Sequence, residues 1–361
     1  MPQPLRVCDL MKGYLNLNGI NRIFILGAGF SAPAQIPLTD NLLLEIHGVA
    51  AKQQFPDDLC EFGQAQWLLE KLQFYYPLAH FSHEMILNNE LPDDFDLEKF
   101  VSYISVESAC QLDTGEQFDE HGNRFLSYLK RWIAQAIHVH QEKAIKEIPD
   151  FYHKFVSLTE KSVVFTFNWD TLMETVLETN KIPYELDSRS CLQTGVLPLF
   201  KLHGSIDWFS YPDPSAVKRW MEFEKLGETF DGLYRAKANI IGLDAYYDAL
   251  LTPWIIVPAF DKIDQIKELG KQWSLLYMFF QGELDVVIIG LSMREDDYHS
   301  RAIIYPQLVQ GSQSGDLNVK VVTLAQSYDE KKSVISKFSG IKNCRFFFDG
   351  FSEKAIEFIA D

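Results

Sequence analysis

Asn168 and Asp170 close an apolar run in Thr166-Phe167-Asn168-Trp169-Asp170, and His203 closes another in Lys201-Leu202-His203-Gly204. A carboxamide, a carboxylate and an imidazole are groups that can orient a hydroxyl or a water and take up its proton. A third apolar run leads into Gly27-Ala28-Gly29-Phe30-Ser31. There Gly27-x-Gly29-x-x-Ala32 has the spacing of a dinucleotide-binding turn. The first glycine permits the turn, the second lets backbone approach a pyrophosphate, and Ala32 allows close helix packing. Each segment also has a plain structural reading. A glycine turn can join strand to helix without a ligand, Asn168 or Asp170 can cap the next helix, and His203 can be a hydrogen-bonded turn residue. A hydride-transfer site also wants an acidic residue closing a second strand ~20 positions past the glycines. Ala50 to Pro56 is no such strand.

The elements that must position these residues follow from the apolar pattern. Short runs without alternation mark strands covered on both faces, as in parallel sheets. They occur at Asn21–Leu26, Ser162–Thr166, Val196–Leu202, Trp254–Pro258, Asp285–Ile289, Val319–Leu324 and Cys344–Phe348. Helical spacing fits Thr171–Thr179, Asp264–Gln281, Tyr298–Val309 and Ser352–Ile359 between them. The alternation predicts an α/β fold, a doubly wound, mostly parallel Rossmann-like sheet with a large helical insertion. Residues 1–45 and 160–361 are expected to form the core and 46–159 the insertion, with Asp96 as N-cap of one of its helices. Residues 207–252, rich in tyrosine and tryptophan, are expected to form a small irregular lobe over the crevice, with Trp208, Phe209 and Tyr211 in its core. In such sheets ligands bind beyond the carboxyl ends of the strands, where all three segments lie.

Composition narrows the function classes. The 361 residues are 47% hydrophobic and 23% charged, enough for a large core. A net charge of −17, with no run of lysines and arginines, argues against direct nucleic-acid binding. Cys8, Cys60, Cys110, Cys191 and Cys344 are dispersed, which suits a reducing compartment and offers no Cys-x-x-Cys pair for zinc. No apolar stretch reaches the ~20 residues of a membrane helix, and the first residues lack a signal-peptide pattern. A soluble cytoplasmic protein is expected, without a membrane partner and without a bound metal.

Taken together, the segments resemble the sirtuin superfamily. Gly27-Ala28-Gly29-Phe30-Ser31 resembles its G-A-G-x-S loop, with Ile36-Pro37 at the place of its Ile-Pro pair. Thr166-Phe167-Asn168-Trp169-Asp170 is similar to its T-x-N-x-D element, His203-Gly204 to its His-Gly, and Gly290-Leu291-Ser292 to its later G-x-S loop. The order is the family's, over residues 20–40 and 160–350. The zinc-lobe cysteines of the protein deacylases do not occur between His203 and Cys344, and Leu38-Thr39-Asp40 replaces their Asp-Phe-Arg. Lys201-Leu202-His203-Gly204-Ser205-Ile206 and Ile289-Gly290-Leu291-Ser292-Met293-Arg294-Glu295-Asp296-Asp297 are closer to the zinc-less, NAD-hydrolysing branch of bacterial anti-phage systems. Val257-Pro258 followed by Lys262 resembles a segment of that branch as well.

The resemblance implies NAD as a substrate that is split into nicotinamide and ADP-ribose. Asn168 would hold the nicotinamide ribose and the attacking water, His203 would serve as base, and Asp170 would orient them or contact the nicotinamide side. Ser31 with the backbone of Gly27 to Phe30 would hold the pyrophosphate, Thr166 would line the site, and Gly290 and Ser292 would face the adenosine side. It further implies a regulated effector that acts as a homo-oligomer or with a HerA-type ATPase or another defence partner. The helical insertion, with Trp67, Tyr75, Tyr76 and Trp132, is the expected self-association surface. Two other readings stand beside it: a non-catalytic subunit that senses NAD or ADP-ribose, and a divergent deacylase or ADP-ribosyl transferase.

Overall fold

The computed structural model describes residues 19–52, 63–110, 118–119, 122–188, 195–209, 226–230, 233–236, 252–257, 259, 263–280, 283–293 and 297–361. The chain forms two compact units. The first comprises residues 1–35, 144–204 and 263–361, the second 36–143 and 205–262.

The first unit is built on seven parallel strands, β1 (Arg22–Leu26), β2 (Ser162–Thr166), β3 (Tyr184–Glu185), β4 (Leu197–Lys201), β5 (Leu284–Ile289), β6 (Leu317–Val322) and β7 (Arg345–Phe347). Their order is β7-β6-β5-β1-β2-β4-β3, and every neighbouring pair is parallel. Strands β2 and β4 are buried along their whole length, as unalternated apolar runs require when helices cover both faces. The helices that concern the site are α1 (Ala28–Ser31), α2 (Asp150–Ser157), α3 (Leu172–Thr179), α4 (Gly270–Phe279) and α5 (Tyr298–Ser314). This is the doubly wound, Rossmann-like α/β fold that the sequence predicts.

The chain winds from β1 to one side through β2, β3 and β4, then returns to lay β5, β6 and β7 on the other. The direction therefore reverses between β1 and β5, the switch point at which such sheets open a crevice. The loops leaving these two strands meet backbone to backbone. Gly27 N donates to Ile289 O at 2.9 Å and Gly29 N to Gly290 O at 3.0 Å. A Cβ on Gly290 would lie 2.4 Å from Gly29 Cα, and Gly290 has φ +66. Gly290→Ala is thus opposed by both contact and conformation. It is expected to cost well over ~1 kcal/mol, measurable as a lower urea midpoint at unchanged m-value.

The second unit is mainly helical, with Thr39–Ala50, Gln64–Tyr75, Leu97–Cys110 and Arg124–Ala144 as its longer helices. Asp96 caps the third of these by accepting from Lys99 N at 2.9 Å. Phe100, Ile104, Phe125, Leu129 and Trp132 form its core. Three of the residues expected on a self-association surface are therefore used inside the unit. Trp132 and Tyr76 are buried, and Trp67 packs edge-on against Phe125 at 5.0 Å. Phe74, Leu78 and Val106 are among the exposed apolar residues of this unit.

A four-stranded sheet completes this unit, in the order Pro253–Ile255, Gly204–Phe209, Leu233–Ala236, Leu226–Phe230. The run at Trp254, expected in the parallel sheet, belongs here. Trp208 and Phe209 are buried, as expected of a lobe core, while Tyr211 lies outside the described residues. The helix expected over Asp264–Gln281 is two, Ile263–Glu268 and α4, parted at Leu269. No helix among the described residues is long and apolar enough to cross a membrane.

Candidate functional site

The carboxyl ends of β1 and β2 bring Ser31, Asn168 and Asp170 together, and His203 follows the adjoining end of β4. Beyond β2, Phe167 N donates to Leu26 O at 2.8 Å, and beyond β4, Leu202 N donates to Thr166 O at 2.8 Å. The ladders thus run one step past the strands and fix the backbone on which Asn168 and His203 sit. Thr166 turns its hydroxyl back to accept from Asn168 N at 3.1 Å. Gly204 has φ +77, a left-handed turn position that suits glycine and frees the chain to leave the sheet after His203.

Ser31, at the end of α1, is buried and has two partners in this cluster. Its Oγ accepts from Asn168 Nδ2 at 3.0 Å, and its hydroxyl donates to the Asp170 carboxyl. The Asn168 amide is thereby oriented, with its NH2 held inward and its carbonyl oxygen on the other side. Asp170 also accepts from Leu172 N, the first N–H of α3, at 3.0 Å, from one residue outside the N-cap Thr171. One carboxylate thus serves both the start of α3 and the cluster around Ser31.

Beneath them Lys201, fully buried at the end of β4, donates to Glu174 Oε1 at 2.8 Å and to the Asp170 carbonyl at 2.5 Å. Burial pushes the Asp170 carboxyl above the ordinary aspartate range, and Lys201, Leu172 N and Ser31 hold it back by less. Tyr152 of α2 donates to Phe30 O at 2.6 Å, while its ring packs edge-on against Phe30 at 5.2 Å. Burial, and then the charge of Asp170, raise its phenol, so Tyr152 is a neutral brace for α1. His203 lies edge-on to Phe167 with centroids 4.9 Å apart.

The glycine loop departs from a phosphate cradle. The N–H groups of Gly27 and Gly29 go to the last residue of β5 and the first of the loop after it, and that of Phe30 goes to Gly27 O at 2.9 Å. Glycine is needed at 27 and 29 because the 290 backbone lies where a Cβ would be. Ala28 is the exposed apex of this loop. Ser292 is exposed at the end of the β5 loop, and its carbonyl accepts from Lys337 Nζ at 3.3 Å. Pro258, Lys262, Arg294, Glu295 and Asp296 lie outside the described residues, as do Cys8, Cys60 and Cys191. Among the described residues no group of three His, Cys, Asp or Glu could hold a metal ion.

Sequence reasoning passed over Lys201, Glu174 and Tyr152 as parts of the site. A signal existed for the first two. A lysine ending the apolar Leu197-Pro198-Leu199-Phe200 run, and a glutamate amid the apolar Leu172-Met173 and Val176-Leu177, are charges on covered surfaces that need each other.

No family model matches this chain, and none of the curated proteins matches it. Among solved structures it is similar to Sir2Tm bound to a propionylated peptide, at 13% identity and a TM-score of 0.34, over 97% of this chain and 95% of that one. It is similar also to Sir2 with a p53 peptide and NAD+, at 13% identity and a TM-score of 0.31, with the same coverage. Likeness at that level assigns no residue role and no activity here. The chain has a Rossmann-like α/β fold, and its neighbours among solved structures are Sir2 proteins.

Proposed function

We propose that the chain is an NAD+ glycohydrolase that releases nicotinamide and ADP-ribose. The observation that carries this reading is the Asn168-Ser31-Asp170 hydrogen-bonded set at the carboxyl ends of β1 and β2, with His203 on the adjoining end of β4. The order of motifs that resembles the zinc-less sirtuin branch supports it from the sequence side.

Nicotinamide in NAD is already a cationic leaving group, so the bond to ribose breaks without a strong general acid. The transition state is oxocarbenium-like, and carboxamide and carboxylate oxygens and bonds to ring hydroxyls stabilise it more than they stabilise the ground state. The Asn168 carbonyl oxygen, turned outward by Ser31, accepts from a ribose hydroxyl and from water. Water attacks C1′, the C1′–N bond breaks with its electron pair leaving on neutral nicotinamide, and His203 takes the water's proton. Asp170 keeps Ser31 in place through its carboxylate. The pyrophosphate passes over the Ala28 apex and the adenosine side faces Ser292. Ser31 is therefore reassigned, from holding phosphate to orienting Asn168.

The motif resemblance also supports a regulated role in anti-phage defence, with a second copy or an ATPase partner holding activity in check. Purified protein incubated with NAD, alone and with the product of the adjacent gene, is expected to release free nicotinamide. Asn168→Ala and His203→Ala are each expected to reduce release by at least roughly 100-fold. No turnover under either condition, or turnover that survives both substitutions, overturns the reading and leaves a nucleotide sensor. Release that requires an acylated peptide points instead to a deacylase.

A further inference from the structure

The His203 imidazole packs against two aromatic rings from different parts of the chain. Phe167, the residue before Asn168, meets it edge-on at 4.9 Å. Trp273 of α4 meets it at 6.3 Å with planes inclined by 42°, and Trp273 and Phe167 meet each other at 5.8 Å. The three rings close a triangle. Two corners rest on strand ends whose backbones are fixed, by Phe167 N to Leu26 O and Leu202 N to Thr166 O. The third corner rests on a helix. Trp273 is buried, with 4% of its surface exposed, and α4 is seated on the sheet through Phe279, whose ring lies 5.9 Å from Phe165 of β2.

Backbone anchoring places the Cα of His203 but leaves the two torsions of its side chain open. Packing must settle them. Phe167 presents one wall, and its own ring leans on Trp273, so removing the indole loosens both the imidazole and the wall beside it. We propose that Trp273 is a positioning residue for His203: it fixes the imidazole rotamer in which His203 meets water and ribose. This rests on the hydrolase reading for its chemical consequence, but not for its geometry.

The test separates the two. In wild-type protein labelled with 13C-histidine, the His203 Cε1–H resonance, assigned by its loss in His203→Gln, is expected to be displaced by the ring currents of Trp273 and Phe167. In Trp273→Ala it should move toward the free-histidine position and broaden. Trp273→Phe keeps a ring at the site and should keep a single sharp resonance. With NAD, Trp273→Ala is expected to lower kcat for nicotinamide release by roughly 10- to 100-fold, with KM within about twofold of wild type. Trp273→Phe should restore most of kcat. An unmoved resonance in Trp273→Ala overturns the positioning role, as does a raised KM with unchanged kcat, which would mark a substrate contact. A moved resonance in a protein that never releases nicotinamide overturns the hydrolase reading and leaves the ring triangle standing. Trp273→Phe guards against a folding defect, since it retains most of the buried apolar area.

Discussion

Lys201→Met is expected to destabilise the protein by about 3–5 kcal/mol, the usual loss when one partner of a buried ion pair is removed. Lys201 and Glu174 are both buried and 2.8 Å apart, and the same ammonium donates to the Asp170 carbonyl. Methionine fills a similar volume, so the loss is electrostatic rather than a cavity. It leaves Glu174 as a buried carboxylate whose cationic partner is gone, close to Asp170. The double change Lys201→Met with Glu174→Leu is expected to recover much of the loss, because the desolvation of the pair is removed along with its attraction.

The sign of the pH dependence follows. Without Lys201 the carboxyl of Asp170, already raised by burial, loses the charge that held it down. Protonation of the folded variant is then favoured over that of the unfolded chain. The stability deficit should shrink as pH falls from neutrality toward ordinary carboxyl pKa values. Urea denaturation at several pH values measures both effects. A loss below about 1 kcal/mol, the range of solvated pairs, would contradict the burial argument.

The fold was readable in the chain where burial acts on a strand as a whole. Val163, Val164 and Phe165, or Val286, Val287, Ile288 and Ile289, cannot alternate with polar residues when helices cover both faces, and those runs stand where strands form. The same logic cannot say which sheet receives a run: the strand at Trp254, expected in the parallel sheet, lies in the four-stranded one. Helical spacing over 264–281 is continuous in apolar residues, yet the helix breaks at Leu269 just before Gly270. The glycine was the available signal.

The candidate site was readable as motifs, because each of its polar residues follows a strand end. Its internal wiring was not. Ser31 and Asn168 are 137 positions apart, and nothing in either segment says that the serine hydroxyl serves the asparagine rather than a phosphate. Tyr152 lies in the stretch 46–159 that helical spacing assigns to an insertion, although it braces Phe30 from the sheet's own unit. Long-range pairing is set by the strand order, which single segments do not encode.

Asp170→Asn is expected to raise stability at neutral pH while lowering nicotinamide release, two effects that one substitution rarely combines. Burial lifts the folded-state pKa of Asp170 above its ordinary value of ~3.9. Between those two values the folded protein keeps a proton that the unfolded chain has released. Wild-type stability therefore falls as pH rises through that window, by up to ~1.4 kcal/mol per unit, and levels off above the raised pKa. Asparagine does not titrate, and its carbonyl still accepts from Leu172 N. The variant should gain on wild type through the same window and hold its gain above it. Parallel stability curves for the two proteins would mean that Asp170 ionises without cost in the fold.

The activity moves the other way because the carboxylate sets the direction of a hydrogen-bond chain. In its carboxylate form Asp170 accepts the Ser31 proton, which leaves the Ser31 oxygen free to accept from Asn168 Nδ2. The Asn168 carbonyl is then turned away from Ser31, toward ribose and water in the proposed chemistry. An asparagine at 170 can present its NH2 to Ser31 instead. The serine proton then points at Asn168 and favours the flipped amide, with NH2 where an acceptor is needed. Losing a hydrogen bond to a charged group is worth about 1.5–3 kcal/mol, or roughly a 10- to 100-fold lower rate. Ser31→Ala removes the chain altogether and should lower release to a similar degree, without the gain in stability. Full activity in Asp170→Asn would detach the carboxylate from the chemistry and leave it as an acceptor for Leu172 N alone.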